Sequence, residues 1–271
     1  MASFHQGRHR QIHFQTVHKR MKRIRNIKIT KINQISPNMK RLTFSSQDLY
    51  DFPENQNGGY IKFLFKKEPS DKDNSLARPY TIRNFRKHKL ELDIDFSYHP
   101  GDNGYATKWA YKAKIGDTIL ISGPGSKQLI NNNSKWFFFV GDMTALPAIS
   151  SYLEELALDS IGFAVIEITS IDDKVELKKP KNIKIKWVVK SKESKNIDNF
   201  LNAVREVEWL DKNPYVWVAC EFTKMKTLRD YFQKEKKINK NEMYISSYWK
   251  LGLDQEEHKI VKKEDSLKWS S

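Results

Sequence analysis

Between Leu90 and Tyr98 an apolar or aromatic side chain falls on every second position: Leu90, Leu92, Ile94, Phe96 and Tyr98 alternate with Glu91, Asp93, Asp95 and Ser97. A period of two predicts a strand with one buried face. Shorter strand-like segments run from Ile24 to Ile32, Lys40 to Phe44, Tyr60 to Phe65, Tyr80 to Asn84 and Thr118 to Ser122. Turn-forming clusters at Glu54 to Gly59 and Ser70 to Ser75 separate them. Many short strands at this spacing suggest a sandwich or barrel. One short helix, near Ala106 to Lys114, interrupts them.

After Asn131-Asn132-Asn133-Ser134 the rhythm changes. The apolar run Trp136 to Val140 ends at Gly141, and Ala145 to Leu156 has helical spacing with Pro147 in the first turn, where its missing N–H is tolerated. Strand patterns follow at Gly162 to Ile168, Ile183 to Val189, Tyr215 to Ala219 and Met243 to Tyr248, with helices expected at Ile197 to Val207 and Lys224 to Lys234. Strands alternating with helices argue for a parallel sheet covered on both faces. The expected fold is therefore an N-terminal antiparallel β-barrel, residues 23–130, followed by a C-terminal open parallel α/β sheet domain, residues 134–271. Residues 1–22 form a basic arm ahead of them.

Charge adds a partner class. The 271 residues carry a net charge of +15, and no acidic residue precedes Asp48. Such a balance implies an anionic partner: nucleic acid, a membrane surface or an acidic small molecule. The arm suits phosphate contacts, but a solvated terminus is the favoured reading. His5, His9, His13 and His18 share it at spacings near one helical turn, but no fixed carboxylate or thiolate accompanies them, so no metal site is expected. A single cysteine, Cys220, excludes an intramolecular disulfide and suits a reducing cytosol. No apolar run approaches the roughly 20 residues of a membrane-spanning helix, and the start has no apolar signal core. A cytoplasmic monomer is expected.

Three segments carry chemistry. In Arg78-Pro79-Tyr80-Thr81-Ile82-Arg83 a guanidinium can hold a phosphate, an aromatic ring can stack on a flat heterocycle, and a hydroxyl can bond a ring nitrogen. The same residues also suit a strand with surface arginines. In His99-Pro100-Gly101-Asp102-Asn103-Gly104-Tyr105-Ala106-Thr107-Lys108-Trp109, backbone N–H groups at a helix start form an anion site, with Thr107 adding a hydroxyl. A plain glycine turn with Trp109 in the core is the alternative. Gly141-Asp142-Met143-Thr144-Ala145-Leu146-Pro147-Ala148 falls where open α/β sheets bind ligands, beyond the carboxyl end of a strand. It is not GxGxxG, and a structural strand-to-helix turn explains it too. No segment ends in the Gly-Lys-Ser/Thr of a nucleotide-hydrolysing loop.

Together these motifs resemble the siderophore-interacting proteins, FAD-dependent ferric-siderophore reductases of the ferredoxin-reductase-like superfamily. The resemblance adds Ile115-Gly116-Asp117, Gly123-Pro124, Trp217-Val218-Ala219-Cys220-Glu221, Leu228-Arg229-Asp230-Tyr231 and Tyr248-Trp249-Lys250-Leu251-Gly252, and it covers Ile27 to Ile260. It implies FAD as cofactor, with Arg78 on a phosphate, Tyr80 against the isoalloxazine, Thr81 near its reactive nitrogen and Pro79 among the cofactor-binding residues. Phe96, Tyr98 and His99 would line the pyrimidine and ribityl region, and Ala106 and Thr107 would meet the pyrophosphate. Asp142, Thr144 and Ala145 would lie near the adenine or the nicotinamide-nucleotide site. For the ferric siderophore it implies a small basic cluster: Lys62, Lys250 and, because Gly125 stands where an arginine is expected, Lys127 in its place. The donor would be NAD(P)H or ferredoxin. No covalent nucleophile or general base is needed, so no catalytic side chain is assigned.

Two other readings remain open. A related flavin reductase acting on a soluble carrier would end near an aromatic that stacks on flavin, whereas this chain runs past Tyr248-Trp249 to Ser271. A nucleic-acid or membrane-surface module would explain the basic arm but none of the motifs between Arg78 and Ala148. No stable nucleic-acid complex is expected.

Overall fold

A computed structural model describes residues 23–66, 75–98, 104–131, 133–190, 198–210 and 214–270. The N-terminal half contains β1 (Ile24–Ser36), β2 (Met39–Ser45), β3 (Tyr60–Lys66), β4 (Ser75–Thr81), β5 (Asn84–Arg86), β6 (Glu91–Ser97), helix α1 (Tyr105–Lys112) and β7 (Thr118–Ser122). These strands form one antiparallel sheet in the order β4-β3-β7-β1-β2-β6-β5. The sheet is an open half-barrel, with β4 and β5 at its two ends.

Alternation builds its core. Ile27 and Ile29 of β1, Leu42 and Phe44 of β2, Ile61, Phe63 and Phe65 of β3, and Leu92, Ile94 and Phe96 of β6 all turn inward, with Ala106 and Ala110 of α1 closing one end. Each large side chain buried in this way contributes about 1.5–3 kcal/mol. β6 departs from its expected single buried face, because Asp93 and Asp95 on the other side are buried too. Arg86 and Thr43 hydrogen-bond Asp93, and Arg41 grips Asp95 with two bonds of 2.6 and 2.8 Å. Burial pushes the Asp93 carboxyl up, but its bonds from Arg86 and Thr43 outweigh that and hold it below its ordinary range.

The C-terminal half contains β8 (Phe137–Gly141), α2 (Leu146–Glu155), β9 (Gly162–Ile168), β10 (Ile183–Val189), α3 (Asp198–Arg205), β11 (Tyr215–Glu221), α4 (Phe222–Asp230), β12 (Met243–Trp249) and α5 (Gln255–Ser270). All strand pairs are parallel, in the order β10-β9-β8-β11-β12. One apolar cluster beneath α2 and a second beneath α3 and α4 cover the two faces. Gly162 is required where β9 begins: its φ is +147°, and a β-carbon there would lie 2.0 Å from the Phe137 carbonyl oxygen.

Other elements differ from expectation as well. The strand expected at Tyr80 to Asn84 ends at Thr81 and a separate short strand starts at Asn84, so Arg78-Pro79-Tyr80-Thr81 closes β4 instead of opening a strand. Pro79 is accommodated because β4 is an edge strand, where a missing N–H on the open side breaks no ladder. The expected helix Lys224 to Lys234 starts earlier, at Phe222, and passes into a π-helical turn at Tyr231–Glu235. Helix α5 carries no strong apolar period and was not expected.

Candidate functional site

A cavity of about 1100 Å³ lies between the two sheets. The half-barrel supplies Tyr60 and Lys62 from β3, Arg78 to Thr81 from β4, and Gly104, Ala106 and Thr107 from the start of α1. Thr144, Pro147 and Tyr152 come from the β8–α2 turn and α2, and residues from Tyr244 to Lys262 close the opposite wall. Directly opposed residues of an antiparallel pair share a face, so Tyr60 with Thr81 and Lys62 with Pro79 make one patch.

The expected site residues separate into those that line this cavity and those that do not. Lys62, Arg78, Pro79, Tyr80, Thr81, Ala106, Thr107, Thr144 and Lys250 line it. The Arg78 guanidinium stands 3.5 Å from the Glu256 carboxylate on α5. The Tyr80 ring lies 4.4 Å from Phe96, which is fully buried behind it and forms no part of the lining. Tyr98 packs its ring on Tyr111, also away from the cavity, and His99 lies outside the described residues, as does the His-rich arm.

Asp142, Ala145 and Lys127 lie outside the lining. Ala145 is buried against Gly141. Asp142 is buried and fully engaged: one oxygen accepts from the Thr144 amide at 2.9 Å and hydroxyl at 2.5 Å, the other from the Glu221 amide at 2.9 Å and the Trp249 indole at 2.8 Å. It ties together the carboxyl ends of β8, β11 and β12. The Lys127 ammonium pairs with Glu155 at 2.6 Å, and its neighbours Ser126 and Gln128 face the cavity instead.

The α5 wall was not foreseen. Its His258 is buried, with Nε2 2.8 Å from the Ser247 hydroxyl, and Lys262 donates to the Ser246 hydroxyl and the Ser247 carbonyl at 2.7 and 2.8 Å. Burial, with Lys262 and Lys250 nearby, pushes the imidazole down to about 4, so it is neutral near pH 7. Burial also lowers the Lys262 ammonium. The only sequence signal for this wall was its polar face, His258, Lys259 and Lys262, at helical spacing.

Among the described residues, the cationic side chains of Lys62, Arg78, Lys190, Lys250, Lys259 and Lys262 line the cavity, against the carboxylates of Asp95 and Asp254. Asp95 is already paired with Arg41. The cleft therefore favours an anionic guest. A flat-ringed dinucleotide needs an aromatic surface, a cation for its phosphates and a helix start; Tyr80, Arg78 and the α1 terminus at Gly104, Ala106 and Thr107 supply these in one cleft. The residues fit FAD.

A half-barrel joined to a doubly wound parallel sheet, with a basic cleft between them, defines the flavin-dependent oxidoreductases of the ferredoxin-reductase fold. Ferredoxin-NADP+ reductase from Plasmodium falciparum shares this architecture with a TM-score of 0.60 at 17% identity, covering 82% of this chain and 95% of that one. A family model described as the siderophore-interacting FAD-binding domain matches residues 28–75 and 66–128, and one described as siderophore-interacting protein matches residues 134–252. Ferric vibriobactin reductase ViuB of Vibrio cholerae is 30% identical over 238 residues, 82% of this chain and 88% of its own length. The crystal structure of the siderophore-interacting protein SipS from Aeromonas hydrophila superposes with a TM-score of 0.80 at 28% identity, covering 90% of this chain and 98% of that one. The chain belongs to the siderophore-interacting protein family.

Proposed function

We propose that this protein reduces ferric siderophores, with FAD held in the cleft between its two sheets. The observation that carries the reading is the convergence of Lys62, Lys250 and the Arg78–Thr81 segment on one basic cavity. When bound, FAD supplies the redox chemistry, taking electrons from NAD(P)H or a small iron–sulfur protein and releasing them singly.

In this reading the chain binds and orients. Arg78 and the α1 terminus with Ala106 and Thr107 hold the phosphates, Tyr80 and Pro79 support the ring system, and Thr81 bonds its polar edge. Phe96 acts through Tyr80 by fixing its ring from behind. Thr144 faces the nicotinamide-nucleotide region, while Asp142 shapes that region by holding Trp249. Lys62 and Lys250 attract the anionic ferric chelate, which accepts one electron per iron. Ferrous iron holds hard oxygen ligands less tightly than ferric iron, so reduction favours release. Residues 23–130 serve as the FAD-binding domain and residues 134–271 as the donor-side domain. The protein works as a cytoplasmic monomer; among the described residues no helix is long and apolar enough to cross a membrane.

The test is a stopped-flow experiment on FAD-loaded protein, mixed with NADH, NADPH or reduced ferredoxin and then with ferric catecholate or hydroxamate complexes. Loss of the ferric absorbance with at least one donor and one complex is expected. Failure to take up FAD, or no reduction with any combination, overturns the assignment.

A further inference from the structure

Tyr60 differs from its strand neighbours. Ile61, Phe63 and Phe65 fill the half-barrel core, whereas Tyr60 is half-buried and lines the cavity on the same face as Lys62, roughly 7 Å further along the strand. Its ring is clamped by backbone. The Gly125 amide donates to the Tyr60 carbonyl at 2.8 Å, and a β-carbon at Gly125 would fall 2.0 Å from Tyr60 Cζ and 2.3 and 2.5 Å from Cε1 and Cε2. The hydroxyl end of the ring thus rests on bare glycine backbone. Any side chain at position 125 would displace it.

A ring fixed in advance loses little further freedom when it stacks on a guest. Beside it, Lys62 offers an ammonium group on the same face. An aromatic platform next to a cation recognises a group that is both flat and anionic through its ring oxygens. We propose that Tyr60 and Lys62 form a recognition subsite for the aryl groups of the ferric chelate, so that the preferred acceptors are catecholate or phenolate complexes. This rests on the ferric-reductase reading and narrows its substrate class. In the subsite the ring of the chelate stacks on Tyr60, its charged oxygens meet Lys62, and Gly125 is the residue that leaves room for the platform.

Three probes separate ring from charge. Ferric tris-catecholate carries both, ferric tris(benzohydroxamate) carries rings without net charge, and ferric tris(acetohydroxamate) carries neither. Tyr60→Ala is expected to raise KM roughly three- to tenfold for the first two and to leave the third unchanged, with kcat and FAD content preserved. Tyr60→Phe should restore the wild-type values, Gly125→Ala should reproduce the Tyr60→Ala pattern, and Lys62→Ala should weaken tris-catecholate alone. An equal rise for all three probes overturns the subsite. So does loss of FAD from Tyr60→Ala, which would give the ring to the flavin instead.

Gallium tris-catecholate, which accepts no electron, supplies a second readout through equilibrium binding to the FAD-loaded protein. Weaker binding to Tyr60→Ala than to wild type supports the subsite even if no ferric complex is reduced, in which case the reductase reading alone falls. Equal binding to both removes the subsite and leaves the reductase reading standing.

Discussion

Arg78 and Glu256 show how much one ion pair decides at this cleft. The arginine is largely sheltered, its side chain 14% exposed, while Glu256 is 53% exposed, so the pair itself adds little stability. Its consequence is for anion binding, because the carboxylate shares the guanidinium that the proposal assigns to a cofactor phosphate. Arg78→Ala is expected to weaken FAD binding by about 10- to 100-fold, the loss typical of a charge-assisted hydrogen bond. Glu256→Gln is expected to tighten it a few-fold. Titration of the apoprotein with FAD, followed by flavin fluorescence, measures both. His258 gives a prediction of a different kind. Its folded-state pKa of about 4 lies below the ordinary value of 6.5, so the unfolded chain takes up a proton first as pH falls. Stability contributed by the neutral imidazole is therefore present above pH 6.5 and is lost between 6.5 and about 4, with a slope of at most ~1.4 kcal/mol per pH unit. His258→Gln, compared with wild type by urea unfolding across that window, should flatten the slope.

At the scale of elements, what could be read from the chain follows what apolar spacing can report. β9 and β10 were legible from end to end because Gly162 to Ile168 and Ile183 to Val189 alternate or run apolar between clear turn residues. Helix α5 was not, since only Val261 and Trp269 of its inner face pack on the apolar core and the rest of that face is polar: His258 meets Ser247, Lys262 meets Ser246, Asp265 pairs with Arg229, and the Trp269 indole bonds Gln233. Ile260 and Leu267 point outward at 61% and 65% exposure, so hydrophobic periodicity gave the wrong face or none. β6 erred the other way, because a carboxylate looks solvent-facing until its arginine partners arrive from β2 and β5. The same blindness touched the site. Residue types placed Arg78, Tyr80 and Thr107 at the cleft, but nothing in the sequence said that the Asp142 oxygens would be spent on Thr144, Glu221 and Trp249, or that Lys127 would pair with Glu155. Asp142→Ala is expected to cost about 3 kcal/mol by leaving the buried Glu221 amide and the Trp249 indole without their acceptor. It should also blue-shift or broaden Trp249 emission differences between wild type and Trp249→Phe, a local change that chemical unfolding alone would not reveal.

For the whole molecule, the cleft exists only while the two sheets hold their relative position, and one buried carboxylate joins the Arg83–Glu154 and Arg78–Glu256 pairs in bridging them. Asp173, fully buried on the turn after β9, accepts from the Ser36 hydroxyl at 2.7 Å and from the Asn38 amide and side chain at 2.8 Å each, all in the β1–β2 turn of the half-barrel. Its second oxygen also receives the Ser170 amide at 2.9 Å, which fixes the turn that carries it. Burial alone would raise this carboxyl; the bonds from Asn38, Ser36 and Ser170 outweigh burial and leave it below the ordinary range. The sign follows directly: the contact is intact above about pH 4, the unfolded value for an aspartate, and is lost as pH falls through the lower folded value. Asp173→Ala is expected to destabilise the protein by about 2–4 kcal/mol. A double-mutant cycle with Asn38→Ala should give a coupling of at least about 1 kcal/mol, because the two residues bond through both backbone and side chain. Hydrogen exchange should then rise at Asn38 and Ser170 together, while the cores of the two sheets stay protected. FAD binding should weaken in step, since Arg78 and the α1 terminus stand on one side of the cleft and Thr144 and the α5 wall on the other. Independent loss of one sheet, or unchanged FAD affinity in Asp173→Ala, would show that the cleft is held by other contacts.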